Sequence, residues 1–192
     1  MQLTASRTQT RRWTFDEYMR LADLGFFRGQ RVELVGGRII QMAPQRDLHA
    51  AALGLAQRAV DKAFGDQFWS RPQLPLRLGK WSGPEPDIAV VPGSPRDYLR
   101  AHPASALLII EISDSTLRYD RGKKAGIYAK YGILDYWIVN LMERHIEVLR
   151  APVEDAGHPF GYRYASVTFA RKGETIQPLA EASAIRVDDL LP

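Results

Sequence analysis

The run Ala106-Leu107-Leu108-Ile109-Ile110-Glu111-Ile112-Ser113 is followed by a polar connection, by Asp120-Arg121-Gly122-Lys123-Lys124, and by Asp135-Tyr136-Trp137-Ile138-Val139-Asn140. Ala106 to Ile112 is apolar apart from one carboxylate, the pattern of a strand covered on both faces. Roughly Asp120 to Tyr131 reads as a helix closed by Gly132, and Asp135 to Asn140 as the next strand. Strand, crossover helix and strand in that order specify a parallel pair, right-handed by the usual rule. Glu111 interrupts the most apolar stretch of the chain, and a carboxylate there is costly to desolvate unless a cation meets it.

Working outward, a second apolar run, Pro84-Glu85-Pro86-Asp87-Ile88-Ala89-Val90-Val91, carries its acids at one end. Thr14 with Glu17 three residues on forms a capping box for a short helix that Gly25 terminates. Arg31 to Val35, Gly36-Gly37, then Arg38 to Met42 is a strand, two-glycine turn and strand. His49 to Phe64 places Leu53, Ala56, Val60 and Phe64 on one face of an amphipathic helix ended by Gly65. Residues 67–79 read as a bent or edge strand, since Pro72 and Pro75 interrupt it. Pro92 to Pro103 is a loop with one helical turn. Beyond Asn140, Arg144 to Leu149 alternates and pairs back on 135–140, and Tyr162 to Phe169 and Gly173 to Gln177 are further strands. The predicted fold class is α/β: a mixed central sheet flanked by helices, with extra antiparallel strands at both ends.

At 192 residues the chain fits one domain able to bury roughly 70% of its unfolded surface. Residues 1–12 are polar and basic without an acid and read as a frayed tail; 13–192 form the domain. The absence of cysteine excludes disulfides, thiolate zinc sites and a cysteine nucleophile, and fits a cytoplasmic protein. No apolar run is long enough to cross a bilayer. The net charge of +4 and a pI near 9.4 suit an anionic partner. Arginine greatly outnumbers lysine, which suits bidentate phosphate contact and equally suits a GC-rich coding sequence.

Two carboxylates at strand ends and a lysine-bearing helix have the composition of a phosphodiester-cutting site. Mg²⁺ takes hard oxygen ligands, usually one or two carboxylates with water and phosphate completing an octahedron. Asp87 and Glu111 supply such a pair if their strands are neighbours, and Mn²⁺ can substitute. Lys124 lies one turn beyond Asp120, and helical side chains lean back towards the helix N-terminus, here the Glu111 end. It can then hold the scissile phosphate or position the attacking water. Lys123 points about a hundred degrees away, into solvent.

These residues resemble a known family, the restriction-endonuclease-like Uma-two family of the PD-(D/E)XK nuclease superfamily. The resemblance is carried by Arg31 to Ile39, Pro86-Asp87-Ile88-Ala89-Val90-Val91, Glu111-Ile112-Ser113-Asp114-Ser115-Thr116, Tyr119 to Lys124 and Asp135 to Asn140. It extends from about Trp13 to Val187-Asp188-Asp189-Leu190-Leu191. It implies that Glu33 is an acid assisting a metal site, Asp87 the aspartate and Glu111 the glutamate of the motif, and Ile112 a backbone-carbonyl metal ligand. The lysine usually two places after the glutamate is replaced by Ser113, and the resemblance assigns its role to Lys124. His49 matches a recurrent family position without an assigned role. The implied function is a Mg²⁺-dependent endonuclease acting on DNA, expected as a homodimer. The alternative is a catalytically silent nucleic-acid-binding or assembly module of the same fold, which Ser113 favours. A two-carboxylate glycosidase finds no support beyond the acid pair.

Each residue also has a structural reading. Asp87 can be a strand-end acid, Glu111 the partner of Arg118 or Arg121, Glu33 a solvated hairpin residue and Lys124 surface charge. Tyr128 shares the helical stripe of Asp120 and Lys124, so it either packs in the core or reaches the cleft.

Overall fold

The computed structural model describes residues 10–192. Its centre is a six-stranded sheet in the order β3 (Phe68–Pro72), β4 (Ile88–Pro92), β5 (Leu108–Ser113), β6 (Asp135–Asn140), β7 (His145–Glu154) and β8 (Tyr162–Arg171). β5 and β6 run parallel, as the crossover requires, and every other neighbouring pair is antiparallel. The proline-bearing segment β3 is an edge strand, where a missing backbone N–H does no harm. Two short antiparallel pairs flank the sheet: β1 (Val32–Val35) with β2 (Arg38–Gln41), and β9 (Thr175–Ile176) with β10 (Ile185–Arg186).

The pleat divides the apolar residues between two layers. On one face α2 (Asp47–Phe64) packs Ala52, Ala56, Val60 and Phe64 against Ile88, Val90, Ile110 and Ile112. On the other face α4 (Ala125–Lys130) packs Ile127, Tyr128 and Ala129 against Ala89, Val91, Ile109 and Ile138. Glu111 has the parity of Ile109, so the alternation that builds the core delivers its carboxylate to the α4 layer. Each fully buried aliphatic side chain of these layers contributes about 1.5–3 kcal/mol of transfer free energy.

The hairpin β1–β2 turns through Gly36 and Gly37, both with positive φ (60° and 80°), as a two-residue turn matched to strand twist demands. It is tied to the loop before β4 by backbone bonds in both directions between Leu34 and Gly83. The α1 helix (Phe15–Asp23) begins with the Thr14–Glu17 capping box and seals the hairpin with Phe15 and Tyr18 against Val32 and Leu34. Of the expected 1–12 tail, residues 1–9 lie outside the described residues. Arg11 and Arg12 are tied down, to Glu17 and to the Gly36 carbonyl.

The crossover differs from the continuous helix expected over about 120–131. Helix begins earlier, at Leu117, as the single turn α3 (Leu117–Tyr119). It then widens into a π-helical turn, Asp120–Lys124, before α4. The Ala125 N–H reaches back five residues to the Asp120 carbonyl, which also accepts the Tyr136 hydroxyl at 3.1 Å. No local sequence period encodes that widening, and Tyr136 reaches it from β6. No helix among the described residues is long and apolar enough to cross a membrane.

Candidate active site

A cleft of about 350 Å³ opens where the β1–β2 hairpin, the N-terminal end of α2, the ends of β4 and β5 and the π-turn meet; Arg31, Glu85, Asp87, Glu111, Asp120 and Lys124 contribute to its wall. Lys124 is its hub. Its Nζ lies 2.9 Å from Glu33 Oε2 and 2.9 Å from Glu111 Oε1, and the lysine and Glu33 are each 1% exposed. Further donors reach both acids. Tyr128 OH donates to Glu111 Oε1 at 2.6 Å, Tyr119 OH to Glu33 Oε1 at 3.0 Å, and the Glu85 N–H to Glu33 Oε2 at 3.1 Å.

Asp87 stands beside this triad, just before β4. Its Oδ2 accepts the Ile112 N–H at 2.8 Å, and its Oδ1 meets His49 Nε2 and Gln73 Nε2, each at 3.1 Å. Because a strand residue projects its N–H and carbonyl to the same side, the Ile112 carbonyl faces the same edge of β5 as Asp87. Asp120, on the π-turn, accepts the Thr116 hydroxyl at 2.6 Å.

Five acids therefore surround one ammonium, and the electrostatics reflect the surplus. Burial pushes the Glu111 carboxyl up to about 8 against the pull of Lys124. Burial likewise lifts Asp120 to about 6 and Glu85 to about 7, the latter helped by the charge of Glu33. For Lys124, burial works downward, but Glu111, Glu33 and Asp120 outweigh it and hold the ammonium well above its ordinary value. Burial also opposes ionisation of Asp87; its bonds from His49, the Ile112 N–H and Gln73 prevail and keep it below the usual carboxylate range. Excess buried acid of this kind is what a divalent cation would neutralise. The hard-oxygen set of Asp87, Glu111 and the Ile112 carbonyl is chemically suited to Mg²⁺ or Mn²⁺. Among the described residues no three His, Asp or Glu side chains are grouped to hold a metal by themselves, so backbone, water or phosphate oxygens must complete any coordination shell.

Of the residues singled out in the sequence, Glu33, Glu111 and Lys124 come into direct contact, and Asp87 joins them through the Ile112 backbone. The structural alternatives fall differently for each. Arg121 pairs with Glu147, at 2.7 and 2.8 Å, and leaves Glu111 to Lys124. Glu33 is buried, not solvated. His49 acquires a partner in Asp87, and Tyr128 is both a core residue and a donor to Glu111. Sequence reading missed Tyr119, Gln73, Glu85 and Asp120 as site residues. Glu85 and Asp120 stood inside quoted motifs; Gln73 lies in a loop whose path no local pattern sets.

A profile of the Uma2 family, described as "Putative restriction endonuclease", matches residues 15–187. No curated protein matches the chain. Among solved structures, one from Anabaena variabilis ATCC 29413, described as "a putative nuclease belonging to DUF820", superposes with a TM-score of 0.68 at 18% identity. That match covers 92% of this chain and 96% of the other; at this identity it establishes a shared fold. With fold, motif order and the family profile in agreement over nearly the whole length, the chain belongs to the Uma2 family, the restriction-endonuclease-like family described in those words.

Proposed function

We propose that the protein is a divalent-metal-dependent endonuclease that hydrolyses DNA phosphodiester bonds. The observation that carries this reading is the convergence of Glu33 and Glu111 on Lys124, each at 2.9 Å, with Asp87 anchored to the adjoining Ile112 N–H. Hydrolysis adds the oxygen of water to phosphorus and expels a sugar oxygen, which must gain a proton. Asp87, Glu111 and the Ile112 carbonyl would hold the cation. When bound, Mg²⁺ would supply Lewis-acid charge at the phosphate. Lys124, freed in part from its carboxylates once their charge is met, donates to a phosphate oxygen or orients the attacking water. His49 and Gln73 hold Asp87 in place, and Tyr128 and Tyr119 do the same for Glu111 and Glu33. The test is nicking of supercoiled plasmid with Mg²⁺ or Mn²⁺, with Glu111→Gln as control. Equal nicking by wild type and variant would end the enzyme reading.

A second reading, a DNA-binding or assembly module without turnover, draws on the same triad. An ammonium that is 1% exposed and held by two carboxylates can serve as a structural strut, and Ser113 stands where the superfamily motif has its lysine. DNA binding without metal-dependent nicking would favour it. We also propose a homodimer, since cutting both strands needs two such sites; a monomer on gel filtration at micromolar concentration would count against it.

A further inference from the structure

A second pocket, of about 420 Å³, lies beyond the hairpin from the cleft, bounded by Arg12, Arg38, Lys123, Val35, Ile40 and Phe160. Its size is that of a small-ligand site, and no acid lines it. Arg11 also borders it but is paired with Glu17 at 2.7 Å. Among the described residues no carboxylate pairs with Arg12, Arg38 or Lys123, all three exposed, and the sequence before Thr10 contains no acid that could. Arg12 is fixed by its bond to the Gly36 carbonyl and by the Trp81 ring, 4.6 Å away.

The apolar side of the pocket is equally specific. Phe160 has φ +65°, a conformation that bulky residues rarely adopt and that persists only where the surroundings enforce it. Two glycines do so. A Cβ on Gly36 would come within 2.9 Å of the Phe160 ring, and one on Gly126 within 2.4 Å of the Pro159 carbonyl. The 159–161 turn is thus wedged between α4 and the hairpin and presents a half-buried aromatic ring among cations. The pocket also adjoins the cleft through two elements. Lys123 precedes Lys124 on the π-turn, and Val35 lies on the same side of β1 as Glu33, two residues or about 7 Å along the strand.

We propose that this pocket is a subsite for an unpaired nucleotide flanking the bond to be cut. Phe160 supplies an aromatic surface for the base, and Arg12, Arg38 and Lys123 hold the neighbouring phosphates. Aromatic stacking combined with backbone cations is how single strands are bound without sequence preference, so the subsite favours single-stranded or frayed DNA over closed duplex. The proposal rests on the nuclease reading and adds the strandedness of the substrate.

The experiment measures anisotropy of fluorescein-labelled dT12 and of a duplex of the same length with the full chain in EDTA, across a salt series. Phe160→Asn removes the ring and suits the positive φ; it should weaken dT12 binding about tenfold and leave duplex binding within about twofold. Arg38→Ala/Lys123→Ala should lower the salt slope for dT12 by about 1.4, two contacts at roughly 0.7 each. Arg58→Ala/Lys62→Ala, on α2 in the opposite layer, should change neither. If wild type binds dT12 and the pocket variants match the α2 control, the subsite is overturned and the nuclease reading stands. Equal weakening of dT12 and duplex by Phe160→Asn overturns the stacking role. Binding of neither probe by wild type also overturns the subsite, and the nuclease reading is then decided by plasmid nicking with Mg²⁺ or Mn²⁺.

Discussion

Replacing Lys124 by methionine, which keeps the volume of the stem and removes the charge, probes the site at its hub. The substitution leaves two carboxylates, Glu33 at 1% and Glu111 at 4% exposure, without their shared cation. Breaking a buried pair by deleting one partner costs about 3–5 kcal/mol. Two features of the site pull towards the lower end. Tyr119 and the Glu85 N–H still donate to Glu33, and Tyr128 still donates to Glu111. Glu111, already pushed up to about 8 by burial, can escape the penalty by taking a proton. The expected cost at pH 7 is therefore about 3 kcal/mol, a fraction of a typical stability of about 5–15 kcal/mol, so the variant folds. With m near 2 kcal/mol/M, the urea midpoint should fall by roughly 1.5 M.

The pH dependence has a definite sign. Lys124 pulls the Glu111 carboxyl down against burial, so removing the ammonium lifts it further above the value of about 8 that it has in the wild type. Below that wild-type value both proteins hold the proton on Glu111 and this group adds little; its added penalty grows as pH rises through about 8 towards the variant's higher value. Urea unfolding of wild type and variant from about pH 6 to about pH 10, in chelator, measures it. Adding Glu33→Gln to Lys124→Met should recover part of the loss, because the sites are coupled. A cost below about 1 kcal/mol at about pH 10, or one independent of pH, would refute the premise that these charges are desolvated together.

Three further outcomes follow from the same geometry. Titration calorimetry with Mn²⁺ should show binding to wild type, loss of it in Asp87→Ala, and about 10–100-fold weakening in His49→Ala, the effect of removing a group that orients a ligand; unchanged affinity in Asp87→Ala would remove Asp87 from any metal site. Tyr128→Phe deletes only the 2.6 Å bond to Glu111, which keeps Lys124 as a partner, and should cost about 0.5–1.5 kcal/mol in urea unfolding at about pH 7; a neutral result would deny that bond. Arg121→Met strands the Glu147 carboxylate, 2% exposed, with the Asn140 amide at 3.0 Å as its remaining close donor. Since Arg121 is itself partly exposed, the cost should be about 2 kcal/mol, below the fully buried range, and thermal unfolding that matches wild type would contradict it.

The strands other than β10 (Ile185–Arg186) were legible because period-two alternation and turn chemistry are local. Asp135 to Asn140 forms β6 with the residues the sequence marked, and Gly36-Gly37 turns the hairpin as two positive-φ positions must. The parity of Glu111 followed from the same rule. Partners supplied by distant elements were not legible. Gln73 reaches Asp87 from a loop whose backbone is held by the Pro86 and Asp87 carbonyls, and Tyr119 reaches Glu33 across 86 residues of sequence. The resemblance alone marks Glu33 as a site acid; its hairpin position equally allows a solvated residue, because alternation says which side a residue takes but not what covers that side.

The π-turn shows most clearly why the lysine could be located in sequence while its route to the acids could not. The widened turn sets where Lys124 lies relative to the start of the helix, and it is held by contacts from outside the helix. Tyr136 on β6 takes the Asp120 carbonyl, and Glu147 on β7 takes Arg121. Wide turns of this kind recur where a helix must present a side chain at a site. With Ser113 in place of a strand-borne lysine, the ammonium reaches Glu111 from the element that follows β5, and that element is bonded to β6 and β7. The position of the ammonium is therefore a property of the sheet as much as of the helix. Substitutions at Tyr136 or Glu147, remote from the cleft, should then shift Lys124 relative to Glu111 while leaving the strands intact.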